Sequence, residues 1–269
     1  MLEKIRNTAN FITDKTGFQP EVGIILGTGL GGMVKEIDEK ASLPYEEIPN
    51  FPVSTVDGHK GKLIFGYLGG KKIVAMQGRF HYYEGYTMEE VTFPVRVLKL
   101  LGIKTLLLSN ASGGMNPDFE IGDVMILDDH INLIPNPLIG KNIDELGPRF
   151  PDMSEPYDHQ LIQKAKEIAA EKNIKTQTGC YVATTGPTLE TPKEYQYFRV
   201  IGGDAVGMST VPEVIVARQM GLPCFAVSII TDLGVPGKIV KVTHEDVQEA
   251  AQKVEPDMTY IFTKLIEKL

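Results

Sequence analysis

Arg79 and His81 stand two residues apart in the run Gln77-Gly78-Arg79-Phe80-His81-Tyr82-Tyr83-Glu84-Gly85. A guanidinium offers a planar fork of donors that fits a pair of phosphate oxygens. In an extended segment His81 points to the same side as Arg79. Flanking glycines and aromatics make this a loop suited to holding an anion. Other stretches could do related work. Gly27-Thr28-Gly29-Leu30-Gly31-Gly32 follows an apolar run, so backbone amides and the Thr28 hydroxyl can face an anion. The same glycines also suit a plain tight turn, and their spacing matches a dinucleotide fingerprint. The acid that such a fingerprint requires about 20 residues on is poorly placed, because Glu46 and Glu47 lie among Pro44, Pro49 and Pro52.

Asn110-Ala111-Ser112-Gly113-Gly114 reads either as open amides after a strand or as a strand-to-helix turn. Ser209, in Gly207-Met208-Ser209-Thr210, either caps the helix that follows or donates to a ligand at its positive end. Glu190 lies just before Pro192 and reads as a first-turn acid. Asp232 ends an apolar run and reads as a cap or turn residue.

The elements around these loops alternate. Residues 1–17 carry Leu2, Ile5, Ala9 and Ile12 at helical spacing, and Val22 to Leu26 is a bare apolar strand. Lys62 to Leu68 and Lys72 to Met76 flank Gly69-Gly70 as a hairpin. Met88 to Leu101 predicts a helix despite Pro94, and Lys104 to Leu108 a strand. Further strands are expected at Asp123 to Leu127, Gly179 to Ala183 and Cys224 to Ile230. Helices are expected at Tyr157 to Lys172, Pro192 to Ile201 and Val211 to Met220. The last helix should start near Thr243, with a Thr243–Asp246 cap, and Pro256 should kink or restart it. Apolar strands alternating with amphipathic helices predict an α/β fold with a mostly parallel or mixed central sheet covered on both faces. In such folds ligands bind beyond the carboxyl ends of strands.

The 269 residues predict one domain over 1–269. A net charge of −8 argues against nucleic acid and anionic membranes as partners, so a phosphate must be held by a local site. The start Met1-Leu2-Glu3-Lys4-Ile5-Arg6 lacks the apolar core of a signal peptide, and no run approaches a membrane span, so the cytoplasm is expected. Cys180 and Cys224 read as reduced thiols in strands. The five histidines show no metal-ligand spacing, so no metal is expected. Hydrolase and P-loop motifs are not found.

Taken in order, these words resemble the trimeric purine-nucleoside phosphorylases. The matching words are Gly27-Thr28-Gly29-Leu30-Gly31, Asp57-Gly58-His59, Gln77 to Gly85, Asn110 to Gly114, Gly186-Pro187-Thr188-Leu189-Glu190-Thr191 and Ala205-Val206-Gly207-Met208-Ser209-Thr210-Val211-Pro212-Glu213. They span essentially the whole chain. The resemblance implies a partly barrel-like mixed sheet and phosphorolysis of purine ribo- or deoxyribonucleosides to base and sugar 1-phosphate. Phosphate would be a co-substrate, with no cofactor. Thr28, His59, Arg79, His81, Ser209 and the Ala111 amide would hold it. Tyr83 and Met208 would contact the ribose and His244 its 5′-hydroxyl, with Ala111, Leu189 and Val206 also in the nucleoside site. Glu190 and Asp232 would face the purine and, with His81, take part in the chemistry. Phe150 of a neighbouring subunit would close the sugar site, hence a homotrimer.

Three positions depart from the family's usual pattern. Thr28 stands where many members have Ser, and either hydroxyl can donate to phosphate. Leu189 stands where many members have Phe. Asp232 stands where enzymes for 6-oxopurines usually have Asn. An ionised Asp only accepts hydrogen bonds, which suits the amino group of adenine. Glu190 accepts from N1–H of hypoxanthine or guanine, and His244 favours a free 5′-hydroxyl. The expectation is inosine and guanosine as main substrates with appreciable adenosine activity. A methylthioadenosine phosphorylase is the near alternative, on Asp232. A dinucleotide-binding dehydrogenase, on the glycine loop alone, is the distant one. A silent nucleoside-binding relative would not need the phosphate residues.

Overall fold

The computed structural model describes residues 1–53 and 60–269. The Asp57-Gly58-His59 word, and with it the His59 expectation, lies outside the described residues. The strands are β1 (Val22–Leu26), β2 (Asp38–Pro44), β3 (Lys62–Leu68), β4 (Lys71–Gln77), β5 (Thr105–Gly114), β6 (Val124–Asn132), β7 (Thr176–Ala183), β8 (Ala205–Gly207) and β9 (Cys224–Leu233). The helices are α1 (Leu2–Thr16), α2 (Met88–Leu101), α3 (His159–Glu171), α4 (Pro192–Val200), α5 (Val211–Gln219) and α6 (His244–Glu267).

These strands form one mixed sheet in the order β2-β3-β4-β1-β5-β8-β7-β6-β9. An additional β5–β9 pairing closes the last five strands into a ring, so half of the sheet is a small barrel. The continuous apolar runs are the reason: every residue of β1 is buried, as are all but the last of β9. Strands with no polar face must be covered on both sides. The helices pack in two groups, α1 with α2 and α5, and α3 with α6, and both groups reach β9. No helix among the described residues is long and apolar enough to cross a membrane.

Register is what assembles the site. β1 lies between β4 and β5, parallel to both, with Leu26 beside Gln77 and Ile25 beside Leu108. The glycine loop, the Arg79 loop and Asn110 therefore leave the sheet at the same end. β9 runs parallel to β5 and sets Asp232 beside Gly113. β8 sets Val206 against Gly113, and β7 sets Ala183 beside Gly207. The segments carrying Glu190 and Met208-Ser209 thus rise at that end as well.

Three readings change. Asn110 to Gly114 is neither loop nor turn, because β5 continues to Gly114, with its register shifting between Ser112 and Gly113. The strand pairs with both β8 and β9 there, which no local pattern announces. Pro256 does not restart the last helix; α6 runs through it from His244 to Glu267. Only one donor is lost to a proline, and Met258, Ile261, Phe262, Leu265 and Ile266 bury the face beyond it. β2 was not expected, since it is an edge strand with mostly exposed residues and no apolar alternation. Thr243 and Asp246 do form the reciprocal cap on α6.

Candidate active site

The converging strand ends enclose a cavity of about 540 Å³. Thr28, Arg79, His81, Tyr83, Ala111 and Ser209 line it, together with Leu189, Glu190, Val206, Met208, Asp232 and His244. Phe150, expected to act from a neighbouring subunit, is 88% exposed and does not line this chain's own cavity.

Arg79 is the most constrained cation in the site. Its side chain is 1% exposed. Nε donates to Glu213 Oε1 at 3.1 Å, and Nη2 lies 3.0 Å from Glu213 Oε2. This bidentate pair fixes the plane of the fork. Nη1 donates to the Ser109 carbonyl at 2.6 Å and to Ser209 Oγ at 3.4 Å. Gly27 is required for this approach, because a Cβ there would lie 2.6 Å from the Ser109 carbonyl and 3.1 Å from Arg79 Nη1.

Ser209 is held by a buried chain of small polar groups. Ser112 Oγ lies 2.5 Å from Ser228 Oγ, which donates to Asn110 Oδ1 at 2.5 Å. Asn110 Nδ2 donates to Thr210 Oγ1 at 2.8 Å, and Thr210 Oγ1 is 3.3 Å from Ser209 Oγ. Thr210 has φ +68°, strained for a β-branched residue. That conformation sets Ser209 at the start of α5, where the unpaired amides and helix dipole favour an anion. The cap reading for Ser209 gives way: Thr210 occupies the cap position, with no side-chain cap bond.

His81 is buried, and its Nδ1 lies 2.9 Å from Glu84 Oε1. The same carboxylate accepts from the His81 backbone amide at 2.8 Å. The imidazole stacks on Tyr83, with centroids 4.7 Å apart and 14° between planes. Burial pulls the His81 pKa below its ordinary value, against the Glu84 hydrogen bond. A neutral imidazole whose Nδ1–H goes to Glu84 keeps Nε2 as its acceptor.

Across the cavity Glu190 and Asp232 form an acidic wall. Thr231 Oγ1 donates to Asp232 Oδ1 at 3.1 Å, and the Tyr195 hydroxyl donates to Oδ2 at 3.0 Å. Burial raises the Asp232 carboxyl, and those two donors oppose the rise. Burial also raises Glu190, and the Asp232 charge adds to it. Leu189, which also lines the cavity, is 49% exposed. The cavity thus brings together Arg79 and Ser209, donors of the kind that could hold an anion, with the acceptors Glu190 and Asp232.

Sequence reasoning gave no role to Glu213, Glu84 or Tyr195. Glu84 had a local signal, standing three residues after His81 at capping-box spacing. Glu213 and Tyr195 had none, since they meet Arg79 and Asp232 only in the folded chain.

Against known proteins, a family model described as the phosphorylase superfamily matches residues 21–267. The chain is 49% identical over 266 residues to purine nucleoside phosphorylase 1 of Geobacillus stearothermophilus, covering 98% of this chain and 97% of that one. The crystal structure of Schistosoma mansoni purine nucleoside phosphorylase in complex with adenosine superposes with a TM-score of 0.95 at 44% identity, covering 99% and 97% of the two chains. A Schistosoma purine nucleoside phosphorylase in complex with guanosine superposes with a TM-score of 0.93 at 43% identity, again covering 99% and 97%.

Proposed function

The chain belongs to the phosphorylase superfamily, among the purine nucleoside phosphorylases, and from that premise we propose that its cavity cleaves purine nucleosides with phosphate as the nucleophile. The observation that carries this reading is the convergence of Arg79, Ser209 and the start of α5 opposite Glu190 and Asp232 in one cavity.

Phosphate sits on the floor. The Arg79 guanidinium and Ser209 Oγ donate to it, with the Thr28 hydroxyl, the Ala111 amide and His81 around it. His81 Nε2 accepts from a protonated phosphate oxygen, or donates to the dianion after taking up a proton. The nucleoside lies above, its ribose against Tyr83 and Met208 and its 5′-hydroxyl at His244. The C1′–N9 bond breaks through an oxocarbenium-like state, as at other glycosidic centres. A phosphate dianion fixed under C1′ stabilises that cation and then bonds to it, giving the sugar 1-phosphate. The electron pair of the broken bond passes to the purine, which leaves as the neutral base after N7 takes, through solvent, the proton that the attacking phosphate gives up. No protein nucleophile is needed and no cofactor takes part; phosphate is the co-substrate.

A second copy of the chain completes the sugar site in this reading. Phe150 is a large apolar side chain left 88% exposed, with the Arg149 guanidinium 5.7 Å from its ring centre. That exposure leaves the ring accessible to a neighbouring copy. A homotrimer in the cytoplasm, each Phe150 capping a neighbour's ribose, is the assembly proposed.

Glu190 accepts from N1–H of a 6-oxopurine and meets only a lone pair at N1 of adenine. Asp232 as a carboxylate accepts from the adenine amino group. Inosine and guanosine should be the main substrates, with appreciable adenosine activity. Methylthioadenosine fits less well, because His244 reaches for a hydroxyl. Base release from inosine, guanosine, adenosine and methylthioadenosine tests this order. Asp232→Asn should lower the adenosine-to-inosine ratio of kcat/KM by about tenfold, the weight of one hydrogen bond to a charged group. An unchanged ratio would remove Asp232 from base selection.

A further inference from the structure

Tyr195 belongs to α4 and does not line the cavity, yet its hydroxyl ends on Asp232 Oδ2 at 3.0 Å. The backbone is shaped around this contact. Gly234 is a glycine because a Cβ there would run into the Tyr195 ring. At Gly113 a Cβ would lie 2.9 Å from Asp232 Oδ2 and 3.2 Å from the Tyr195 hydroxyl. The ring packs in a separate small cluster with Met115, Val182, Phe198 and Val206. Val206 also lines the cavity, so the cluster is the back of the base pocket.

A phenol has one proton to give. Here it goes to Asp232, and the hydroxyl also neighbours the Glu190 carboxyl. Burial and both carboxylates push the Tyr195 pKa far up, so the phenol stays a donor at any working pH. The charged groups that influence this cluster are all acidic: Asp232, Glu190 and, at the exposed start of α4, Glu194. Two buried acids beside each other disfavour double ionisation. With the Thr231 hydroxyl on Oδ1 and the Tyr195 hydroxyl on Oδ2, both oxygens of Asp232 accept a hydrogen bond. Glu190 meets the Thr184 hydroxyl at 3.5 Å and also neighbours the same phenol. The Thr231 and Tyr195 hydroxyls thus favour the ionised form of Asp232.

We propose that Tyr195 is a positioning residue that sets base specificity: its hydroxyl holds Asp232 as the carboxylate, the form that accepts from a 6-amino group and repels a 6-oxygen. The inference rests on the purine reading of the cavity. Without that hydroxyl Asp232 keeps a proton to higher pH and becomes a donor to the 6-oxygen or N7.

The test compares wild type, Tyr195→Phe, Asp232→Asn and the double variant, measuring kcat/KM for inosine and adenosine with phosphate across pH. Phe keeps the ring in its cluster, so the fold is preserved. Tyr195→Phe should raise the inosine-to-adenosine ratio about tenfold at neutral pH, the equivalent of one pKa unit at Asp232. The pH at which the ratio falls should move up by about one unit. In the Asp232→Asn background the same substitution should leave the ratio and its pH profile unchanged. An unaltered ratio in Tyr195→Phe, or an equal change with Asn at 232, overturns the inference. Wild-type protein that releases base from neither nucleoside overturns the phosphorylase reading instead.

Discussion

Replacing Arg79 by lysine should lower kcat/KM for phosphorolysis of inosine by about 10²- to 10³-fold, the range for losing one preorganised donor to a developing charge. Lysine keeps the charge but not the fork. An ammonium cannot at once meet both Glu213 oxygens and the Ser109 carbonyl as Arg79 does. The donor aimed at phosphate is therefore misplaced, and the loss should appear largely in the KM for phosphate. Arg79→Met adds a second effect. It leaves the Glu213 carboxylate, only 4% exposed, without its cation. An uncompensated buried charge costs about 3–5 kcal/mol, which lowers Tm by roughly 10 °C in a chain of this size. The double variant Arg79→Met with Glu213→Gln should recover most of that Tm and none of the activity. Recovery of activity would mean that the pair is only structural.

The second large effect is at Glu190. Glu190→Ala should reduce kcat/KM for inosine and guanosine by about 10²-fold, and for adenosine by less than about tenfold. The carboxylate accepts N1–H of a 6-oxopurine. Adenine offers no proton at N1, so its recognition falls on Asp232. Equal losses for all three nucleosides would mean that Glu190 holds the pocket wall rather than reading the base.

Much of this was legible in the chain before folding, for reasons that differ by region. β1, β9 and α2 announce themselves because burial on all sides, or on one helical stripe, leaves an apolar pattern in consecutive residues. The loops proposed to hold phosphate stand out because an anion needs glycine, hydroxyl and arginine close together in sequence. What stayed hidden depends on pairing between distant segments. Asn110 to Gly114 looks like a loop until β8 and β9 come to lie on either side of it. β2 hides because an exposed edge strand needs no apolar face. Glu213 carries no mark of its role, since a first-turn acid of α5 is ordinary until Arg79 arrives from β4. Tyr195 is the sharpest case. On α4 it reads as a core aromatic, and only the Asp232 contact and the space left at Gly234 give it a chemical part.

Phosphorus NMR for ribose 1-phosphate together with proton NMR for hypoxanthine and free ribose, on inosine with the enzyme and inorganic phosphate beside a phosphate-free control, tests the central claim most directly. The floor of Arg79, Ser209 and the α5 start predicts hypoxanthine only when phosphate is present, with one ribose 1-phosphate formed per base released. Hypoxanthine formed without phosphate, together with free ribose, would show water as the nucleophile and contradict the account.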